Sequence, residues 1–524
     1  MFKGIAAKTL GVVVLTFGVL SASQSQTVTV GLSADVTSVD PHYHLYSPNQ
    51  SIADHVFSRL VERSDQLRLV PGLALSWKPI DPLTWEFQLR PNVTFHDGSA
   101  FTAEDVVFSL GRVGQVKDSP GPFTVYTKEI ASVTIVDPLT VRFKTHQPHA
   151  LLPSDLSVLP IIPKALGPSV TTADFNSGKA TIGTGPYKLV KFTRGDRIEL
   201  VRNEAYWGRK PQAQSLVFKI LTNDASRVAA LLSNDVQVID AVPVADVKRL
   251  SDNPDVSLVQ RLSTRLIFLY FDTTRSPSPF VTDKEGKPLA SNPLKDVRVR
   301  KAISKAIDRE LVRARIMDGA SRPTAQLMIP GLPGYSEALK LEPVDIDGAK
   351  KLLAEAGYSG GFNLTLHGPN NRYVQDDAIL QTVAQMLSRV GIAIKVEALP
   401  AAVFFPRNNR GEFSFSMSGW MPDSADASSP LRAILATKNR EKGFGAFNAN
   451  GYSNPKVDEL IEAAMGRLND AERDKLLQEA TSLALADQPI APLHHQVNVW
   501  AARKGVRLTG RSDERTYGFE FMLK

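Results

Sequence analysis

The feature that most constrains the fold is a close alternation of helices and strands between residues 347 and 396. Helical spacing of apolar residues, ended by glycine, predicts helices over Asp347–Gly357 and Asp376–Val390. Each helix is followed by an apolar strand, Phe362–Leu366 after the first and Ile392–Val396 after the second. Helix, strand, helix and strand in such close order predict an α/β sheet.

A second informative stretch, Gly183–Gly208, is typical of a turn followed by a β-hairpin. Gly183 to Pro186 form the turn, and Arg194-Gly-Asp196 connects two alternating strands. The Gly-x-Gly of this turn lacks the third glycine of a dinucleotide fingerprint and the Gly-Lys-Ser/Thr ending of a phosphate loop. We therefore interpret the turn as structural rather than as a nucleotide site.

The length of 524 residues exceeds the size at which one hydrophobic core keeps growing, so at least two domains are expected. Hydrophobic residues make up 43% and charged residues 22%, which is ordinary for a globular protein. The net charge is +7, and no run of lysine and arginine accompanies it. We therefore interpret the excess as a solvated surface and expect no nucleic-acid partner.

The first 23 residues are predicted to be a signal peptide. Lys3 and Lys8 precede an apolar core, Leu10–Leu20, and Ser21-Ala-Ser23 offers small residues for cleavage. This core is too short for a membrane anchor, because a spanning helix needs about 20 apolar residues. We expect export, a mature chain that begins near Gln24, and no membrane-spanning segment.

The chain contains no cysteine. Disulfides are therefore excluded, and so is a lipid-modified cysteine of the kind that tethers many exported binding proteins. A free protein outside the cytoplasm must be kept from diffusing away. The periplasm of a two-membrane bacterium is accordingly the predicted location.

Several short motifs occur in a fixed order between about Val28 and His495. They are Pro71-Gly-Leu-Ala-x-x-Trp77, Leu89-Arg-Pro-x-Val-x-Phe-His-Asp-Gly98, Phe101-Thr-Ala-Glu-Asp-Val-Val-Phe-Ser109, Gly183-Thr-Gly-Pro-Tyr187, Arg202-Asn-x-x-Tyr-Trp-Gly208, Asp296-Val-Arg-Val-Arg-Lys-Ala-Ile303 and Gly451-Tyr-Ser-Asn-Pro455. Together they resemble the peptide/nickel class, family five, of bacterial extracellular solute-binding proteins. The motifs are specific for the family and not for a ligand.

The resemblance implies a two-lobed α/β periplasmic-binding-protein clamp with an additional inserted α/β domain. The implied boundaries are 24–62, 180–271 and 495–524 for lobe I, 63–179 for inserted domain II, and 272–494 for lobe III. Crossings near Asp272 and His495 are expected to form the hinge. We expect a monomer.

The function implied by the resemblance is capture of a solute between the lobes and delivery to an inner-membrane ABC permease with its ATPase subunits. A di- or oligopeptide is the first choice of solute; an opine, an oligosaccharide or a nickel or other metal chelate are the alternatives. A secreted hydrolase, a chemoreceptor partner and a holdase are the alternatives of a different class. No cysteine nucleophile, His-Glu-x-x-His or Gly-x-Ser-x-Gly motif is present, so we expect neither an enzyme nor a cofactor.

The first candidate ligand loop is Ser418–Asp423. Asp423 resembles the family aspartate whose carboxylate takes the α-amino group of a peptide, through a charge-assisted hydrogen bond. Trp420 would form an apolar or cation–π wall, with Met421 beside it. The alternative is that Asp423 caps a turn and Trp420 packs in the core.

The second candidate loop, Gly368–Tyr373, follows a predicted strand. Arg372 resembles an arginine that holds a ligand carboxylate, a role that suits the guanidinium fork, and Tyr373 adjoins it. An exposed Arg372 that pairs with Asp376 or Asp377 is the alternative.

Two further loops supply the remaining candidates. His42–Gln50, expected to be irregular, resembles the first ligand-lining loop of the family and contributes Ser47 and Asn49; a plain surface loop is the alternative. Phe444–Tyr452 contributes Asn448. His494 and His495 are adjacent on a predicted strand and point to opposite faces, so no metal site is expected there.

Overall fold

The described part of the chain is a mixed α/β structure. This computed structural model describes residues 26–422 and 424–524. The predicted signal peptide and Asp423 lie outside the described residues. The prediction of an α/β fold is confirmed.

The strands, in chain order, are β1 (Thr27–Leu32), β2 (Val61–Arg63), β3 (Leu69–Pro71), β4 (Ala74–Asp81), β5 (Thr84–Leu89), β6 (Ile130–Asp137), β7 (Thr140–Thr145), β8 (Tyr187–Thr193), β9 (Arg197–Arg202), β10 (Ser215–Ile220), β11 (Val238–Ile239), β12 (Val256–Phe271), β13 (Val281–Thr282), β14 (Ser321–Pro323), β15 (Phe362–Pro369), β16 (Ile392–Leu399), β17 (Phe415–Trp420), β18 (Ile490–Arg503), β19 (Val506–Arg507) and β20 (Met522–Leu523).

The α-helices are α1 (Ser47–Val56), α2 (Ala103–Val113), α3 (Leu152–Leu156), α4 (Thr172–Asn176), α5 (Asp224–Leu232), α6 (Val244–Ser251), α7 (Val297–Ala306), α8 (Arg309–Leu311), α9 (Ile346–Glu355), α10 (Asp376–Ser388), α11 (Ala401–Asn409), α12 (Ser428–Pro430), α13 (Pro455–Gly466) and α14 (Asp470–Ala486).

One large sheet runs through the molecule. Its path is β13-β15-β17-β12-β18-β11-β1-β10-β9-β8, with β16 beside β15 and β14 beside β18. We call the part built on β1 and β8–β11 the first half, and the part built on β13 and β15–β17 the second half. The two long strands β12 and β18 belong to both.

The strands β12 and β18 pass from one half to the other, and their pairing is irregular at that point. They are antiparallel, and their register shifts between Leu262 and Leu266. Beyond the shift, β12 alternates between the two faces of the sheet. Ile267 and its alternate neighbours pack against α7 and α10, whereas Phe268 and its neighbours pack against α13 and α14. Helices therefore cover both faces of the second half.

A separate sheet, which we call the inserted sheet, lies between α1 and β8 in the chain. Together with the helices that pack on it, this sheet forms the inserted part. Within the described residues the sheet has four antiparallel strands in the order β4-β5-β7-β6. Trp85, Phe87 and Phe143 on one face pack against α2 and α3 in a core of their own. The opposite face carries charged pairs such as Glu86 with Arg142. This part contributes Tyr126 and Ser157 to the site described below.

Candidate functional site

A cavity lies where the first half, the second half and the inserted sheet meet. Its walls come from the start of α1, from β2 and its turn, from the inserted part, from the crossing on β12, from the loop after β17 and from the C-terminal segment. The lining residues are Leu45, Ser47, Gln50, Arg59, Glu62, Arg63, Leu67, Tyr126, Ser157, Val158, Thr264, Met421, Pro422, Ala425, Asp513, Arg515 and Tyr517.

The cavity is small for a site of this kind. It encloses about 70 Å³, whereas sites for drug-sized ligands commonly enclose about 300–1,000 Å³. A solute larger than a few atoms therefore enters only when the two halves move apart, and closure then brings the walls against the solute.

The start of α1 brings Ser47 and Gln50 to the cavity. Pro48 occupies the first turn, where its missing N–H is not needed. The expectation of an irregular loop over His42–Gln50 is therefore wrong for Ser47 to Gln50. Asn49 is on the side of α1 away from the cavity: it accepts from Thr37 N (3.0 Å) and donates to Thr37 Oγ1 (2.9 Å).

A buried ionic network forms the first-half wall. Asp54, near the end of α1, pairs with Arg59 and with Arg515 (2.8 Å), and it accepts from the Tyr517 hydroxyl. Arg511 pairs in turn with Asp513 (2.9 Å). Burial opposes the charged form of Arg515, but the carboxylate of Asp54 outweighs it and holds the pKa of Arg515 well above its usual value. The groups of this wall therefore satisfy one another.

The strand β2 places Glu62 and Arg63 in the same cavity. Glu62 Oε1 accepts from the backbone N–H of Arg59 at 2.9 Å. Burial raises the pKa of Glu62 to about 7, although the charge of Arg59 opposes this. Burial lowers the pKa of Arg63 to about 10. At neutral pH, Arg63 is charged and Glu62 is only partly so.

The second-half wall is the loop after β17, which supplies Met421, Pro422 and Ala425. The carbonyl oxygen of Ser424 accepts from Arg63 Nη2 (3.3 Å) and from Ser154 Oγ (3.2 Å). These bonds cross from one wall to the other. The structure thus places Ser47 and Met421, both predicted from sequence, on opposite walls of one cavity.

Trp420 is directed towards its own half. Its Nε1 donates to Ser429 Oγ at 3.0 Å, and its ring lies 5.2 Å from that of Phe447. Trp420 is not among the residues that line the cavity within the described part of the chain. Its predicted role as a ligand wall stays a prediction.

Arg372 and Tyr373 lie at the carboxyl end of β15. The Tyr373 hydroxyl accepts from Gly419 N at 2.8 Å and so holds β17. The Arg372 side chain is exposed; its backbone N–H, and not its guanidinium, donates to Asp376 at 2.9 Å. Desolvation and the positive charge of Arg265 lower the pKa of Arg372, whereas Tyr373, Glu514 and Tyr46 act in the opposite direction. Arg372 therefore lies within electrostatic range of both halves.

Asn448 is fully buried and has a structural task. Its amide nitrogen donates to the carbonyl oxygens of Ala436 (2.8 Å) and Tyr452 (2.7 Å). These bonds close the loop that follows Leu431–Leu435, a turn of π-helix, and hold the side chain away from the cavity. Contact with a solute would require the loop to rearrange.

Sequence reasoning missed most of the charged wall, namely Arg59, Glu62, Arg63, Asp513, Arg515 and Tyr517. The available signal was the dense alternation of charges in Arg511–Arg515. Such a stretch is ordinarily interpreted as solvated surface. Asp54 and Arg515 are 461 positions apart, so no local pattern connects them.

The histidines give no indication of a metal centre. Within residues 26–422 and 424–524, no group of three or more histidine, cysteine, aspartate or glutamate residues has a geometry suited to a metal ion. His494 and His495 lie on β18, fully buried. Burial lowers their pKa values to about 3 and about 4.

Comparison with known proteins identifies the family. Residues 68–442 match the sequence model of the bacterial extracellular solute-binding proteins, family 5 Middle. The chain belongs to this family. It is therefore the solute-binding component of an ABC transport system, as its motifs predicted.

Relatives of this family 5 protein match nearly its whole length. A glutathione-binding protein of Salmonella paratyphi A is 26% identical over 529 aligned residues, which cover 99% of this chain and 98% of the relative. The dipeptide-binding protein of Escherichia coli is 26% identical over 483 aligned residues, 86% of each chain.

Solved structures show the same fold. The periplasmic binding protein DppA of Helicobacter pylori, in complex with the peptide STSA, superposes with a TM-score of 0.75 at 24% identity, over 95% of this chain and 99% of that one. The predicted two-lobed architecture is thereby confirmed. Within the described residues of this family 5 protein, no helix is long and apolar enough to cross a membrane.

Proposed function

We propose that this family 5 protein captures a di- or oligopeptide between its two lobes in the periplasm and delivers it to an inner-membrane ABC permease. The observation that carries the proposal is the cavity, which has polar and charged groups on the first-half wall and the Met421 loop on the other. A solute that touches both walls stabilises the closed arrangement, and this is the condition for ligand-driven hinge closure.

The peptide assignment is supported by the ligands of the relatives, which are glutathione, a dipeptide and the peptide STSA. In this proposal Asp423, which follows Pro422 in the chain, accepts the α-amino group. Arg372 receives the C-terminal carboxylate. The hinge lies where β12 and β18 change register, between Leu262 and Leu266 in β12 rather than near Asp272 as predicted, and near His495 in β18. The other boundaries of lobe I, inserted domain II and lobe III are those predicted from sequence. The protein acts as a monomer.

Native mass spectrometry of protein purified from the periplasm without denaturation tests the solute class. We expect a mass excess that disappears on unfolding and that fragments as a peptide. A released opine, oligosaccharide or nickel chelate would contradict the peptide assignment while leaving the transport role in place.

Export is tested on the same material. The mature chain is expected to begin near Gln24, because small residues follow the short apolar segment Leu10–Leu20. N-terminal sequencing that finds intact Met1 on periplasmic protein would contradict the proposed signal peptide.

A further inference from the structure

The arginines that line the cavity differ in what neutralises them. Arg59 and Arg515 share the carboxylate of Asp54. Arg63 has no such partner: among the residues that the structure describes, no carboxylate lies within 4.0 Å of its guanidinium. Arg63 is therefore a cation of the cavity without a paired anion in the described chain.

The guanidinium of Arg63 is nevertheless held in place. Its Nη1 donates to Leu67 O (3.0 Å), and its Nη2 donates to Ser154 Oγ (2.6 Å) and Ser424 O (3.3 Å). All three acceptors are neutral. They use three of about five N–H groups that a guanidinium offers, which leaves Nε–H and one Nη1–H. The guanidinium is thus held in place while two of its N–H groups are available to a ligand.

A charged group in this position lacks part of its solvation. Burial lowers the pKa of Arg63 to about 10, so the side chain still carries its charge at neutral pH. Arg63 is half-buried, and even partial burial of a charge without a counter-ion has a cost. A carboxylate that entered the cavity would supply the missing anion, and its two oxygens match the planar guanidinium.

The carboxylates already in the cavity are engaged elsewhere. Asp513 pairs with Arg511 and accepts from the backbone N–H of Arg515. Glu62 accepts from the backbone of Arg59 and is only partly ionised near neutral pH. The charges of Asp426 and Asp513 act on Arg63 at longer range, but Asp426 pairs with Arg473, and none of these carboxylates lies within 4.0 Å of the Arg63 guanidinium.

We propose that Arg63 is a subsite for a carboxylate of the bound solute, and that the protein prefers solutes with an acidic group able to reach it. The inference rests on the proposed peptide function. The carboxylate is either an acidic side chain or, in place of its assignment to Arg372, the C-terminus of a peptide; the recognition chemistry is the same for both.

Isothermal titration calorimetry on the full mature protein separates these sources. One series uses alanine tripeptides in which glutamate replaces one residue, at each of the three positions in turn. Each is compared with the same peptide carrying glutamine at that position. A second series compares trialanine with its C-terminal amide. Both series are measured with the wild type, with Arg63→Met, and with Arg142→Met. Arg142 is a matched control, since it is an exposed arginine that pairs with Glu86 on the inserted sheet.

In the wild type and in Arg142→Met, at least one acid is expected to bind about tenfold or more tightly than its neutral counterpart, as for a charge-assisted bond. In Arg63→Met that ratio should fall towards one. If Arg63→Met loses the preference for glutamate over glutamine, Arg63 binds a side-chain carboxylate. If it loses the preference for the free acid over the amide, Arg63 binds the C-terminus. Ratios that are the same in Arg63→Met and wild type, or equal to one in wild type, would overturn the proposal.

The failure of this inference is distinguishable from failure of the proposed function. If neutral tripeptides bind and the acids bind no better, the protein is a peptide binder without this subsite. If no peptide of either series binds, the peptide function is wrong and the inference falls with it. Should Arg63→Met not fold, Arg63→Lys keeps the charge but not the fork, and the wild-type ratios alone are still able to reject the proposal.

Discussion

Most charges of the first-half wall of the cavity neutralise one another, with Arg63 as the exception, whereas the second-half wall is a single loop that offers Met421, Pro422 and a backbone oxygen. On the first wall, Asp54 joins α1 to Arg59 and to Arg515 of the C-terminal segment. On the second, two hydrogen bonds to Ser424 O reach across the cavity, and the backbone N–H of Ala150 donates to Met465 O of α13 at 3.0 Å.

This difference indicates that the two walls have different roles in binding. A wall whose ionic groups are already paired is preorganised and loses little freedom when a solute arrives. A wall attached across the cavity by two hydrogen bonds can withdraw and return with its half of the molecule. The Asp54 network is therefore the rigid wall, and the loop after β17 is the wall that moves.

The largest expected effect comes from breaking the rigid wall. Asp54→Asn leaves Arg59 and Arg515 buried without their shared carboxylate. Removing one partner of a buried ion pair typically costs about 3–5 kcal/mol. Urea unfolding followed by circular dichroism should show a loss of this size in the free energy of unfolding.

The control for this prediction is Asp65→Asn. Asp65 pairs with Arg261 at 3.1 Å, but both side chains are about one-third exposed, so a loss of less than about 1 kcal/mol is expected. Equal losses in the two variants would show that the Asp54 network is not what stabilises the first-half wall.

The next effect tests the moving wall. Asp423→Asn keeps the size of the side chain and removes its charge. If Asp423 holds the α-amino group of a peptide, affinity should fall by about tenfold or more, because a buried charged hydrogen bond loses its partner. The melting temperature of the free protein should stay nearly unchanged, in contrast to Asp54→Asn.

An N-acetylated peptide provides the control for Asp423. Acetylation should weaken binding to the wild type strongly and to Asp423→Asn much less. Calorimetry on the four combinations gives the coupling energy directly. Two effects that simply add would exclude Asp423 as the amino-group partner.

The smallest expected effect concerns Glu62, the titrating member of the first wall. Its pKa is raised by burial to about 7, above its value in the unfolded chain. The fold therefore favours the protonated form, and stability that is present below the unfolded pKa is lost as pH rises through about 7. Glu62→Gln should gain about 1 kcal/mol in stability over wild type at pH 8, the partial exposure of the side chain being allowed for, and gain nothing at pH 5.

Urea titrations of both proteins at the two pH values measure this difference. A gain that is the same at pH 5 and pH 8 would mean that Glu62 does not titrate in this range. In that case the first wall would be fully charged at neutral pH.

Local sequence patterns predicted the elements but not the charged wall. Helix α10 begins at Asp376 and β16 begins at Ile392, both as predicted, because apolar periodicity and flanking residues are local signals. Helix α9 begins one residue before the predicted start, since Asp345 is its cap and accepts from Gly348 N at 2.8 Å.

The site was predictable only in part, because most of it is assembled from distant residues. The motif resemblance pointed to the loop after β17 and to the start of α1, and the structure brings Met421 and Ser47 to one cavity. The ion pair between Asp54 and Arg515 spans 461 positions and has no local signature. Asn448 shows the converse: a Gly- and Asn-rich loop indicated a binding surface, yet its amide nitrogen is used to close the loop itself.

The central claim is that a peptide brings the two walls together. The chain contains no cysteine, so spin labels can be attached at chosen positions. The Lys128 side chain, of the inserted part, lies close to Gly443 of the second half. Labels at Val125→Cys and Lys442→Cys flank that contact on exposed positions. Pulsed electron–electron double resonance should give a long or broad distance distribution in the free protein and a short, narrow one with saturating peptide. Identical distributions with and without a peptide whose binding calorimetry has established would contradict the account.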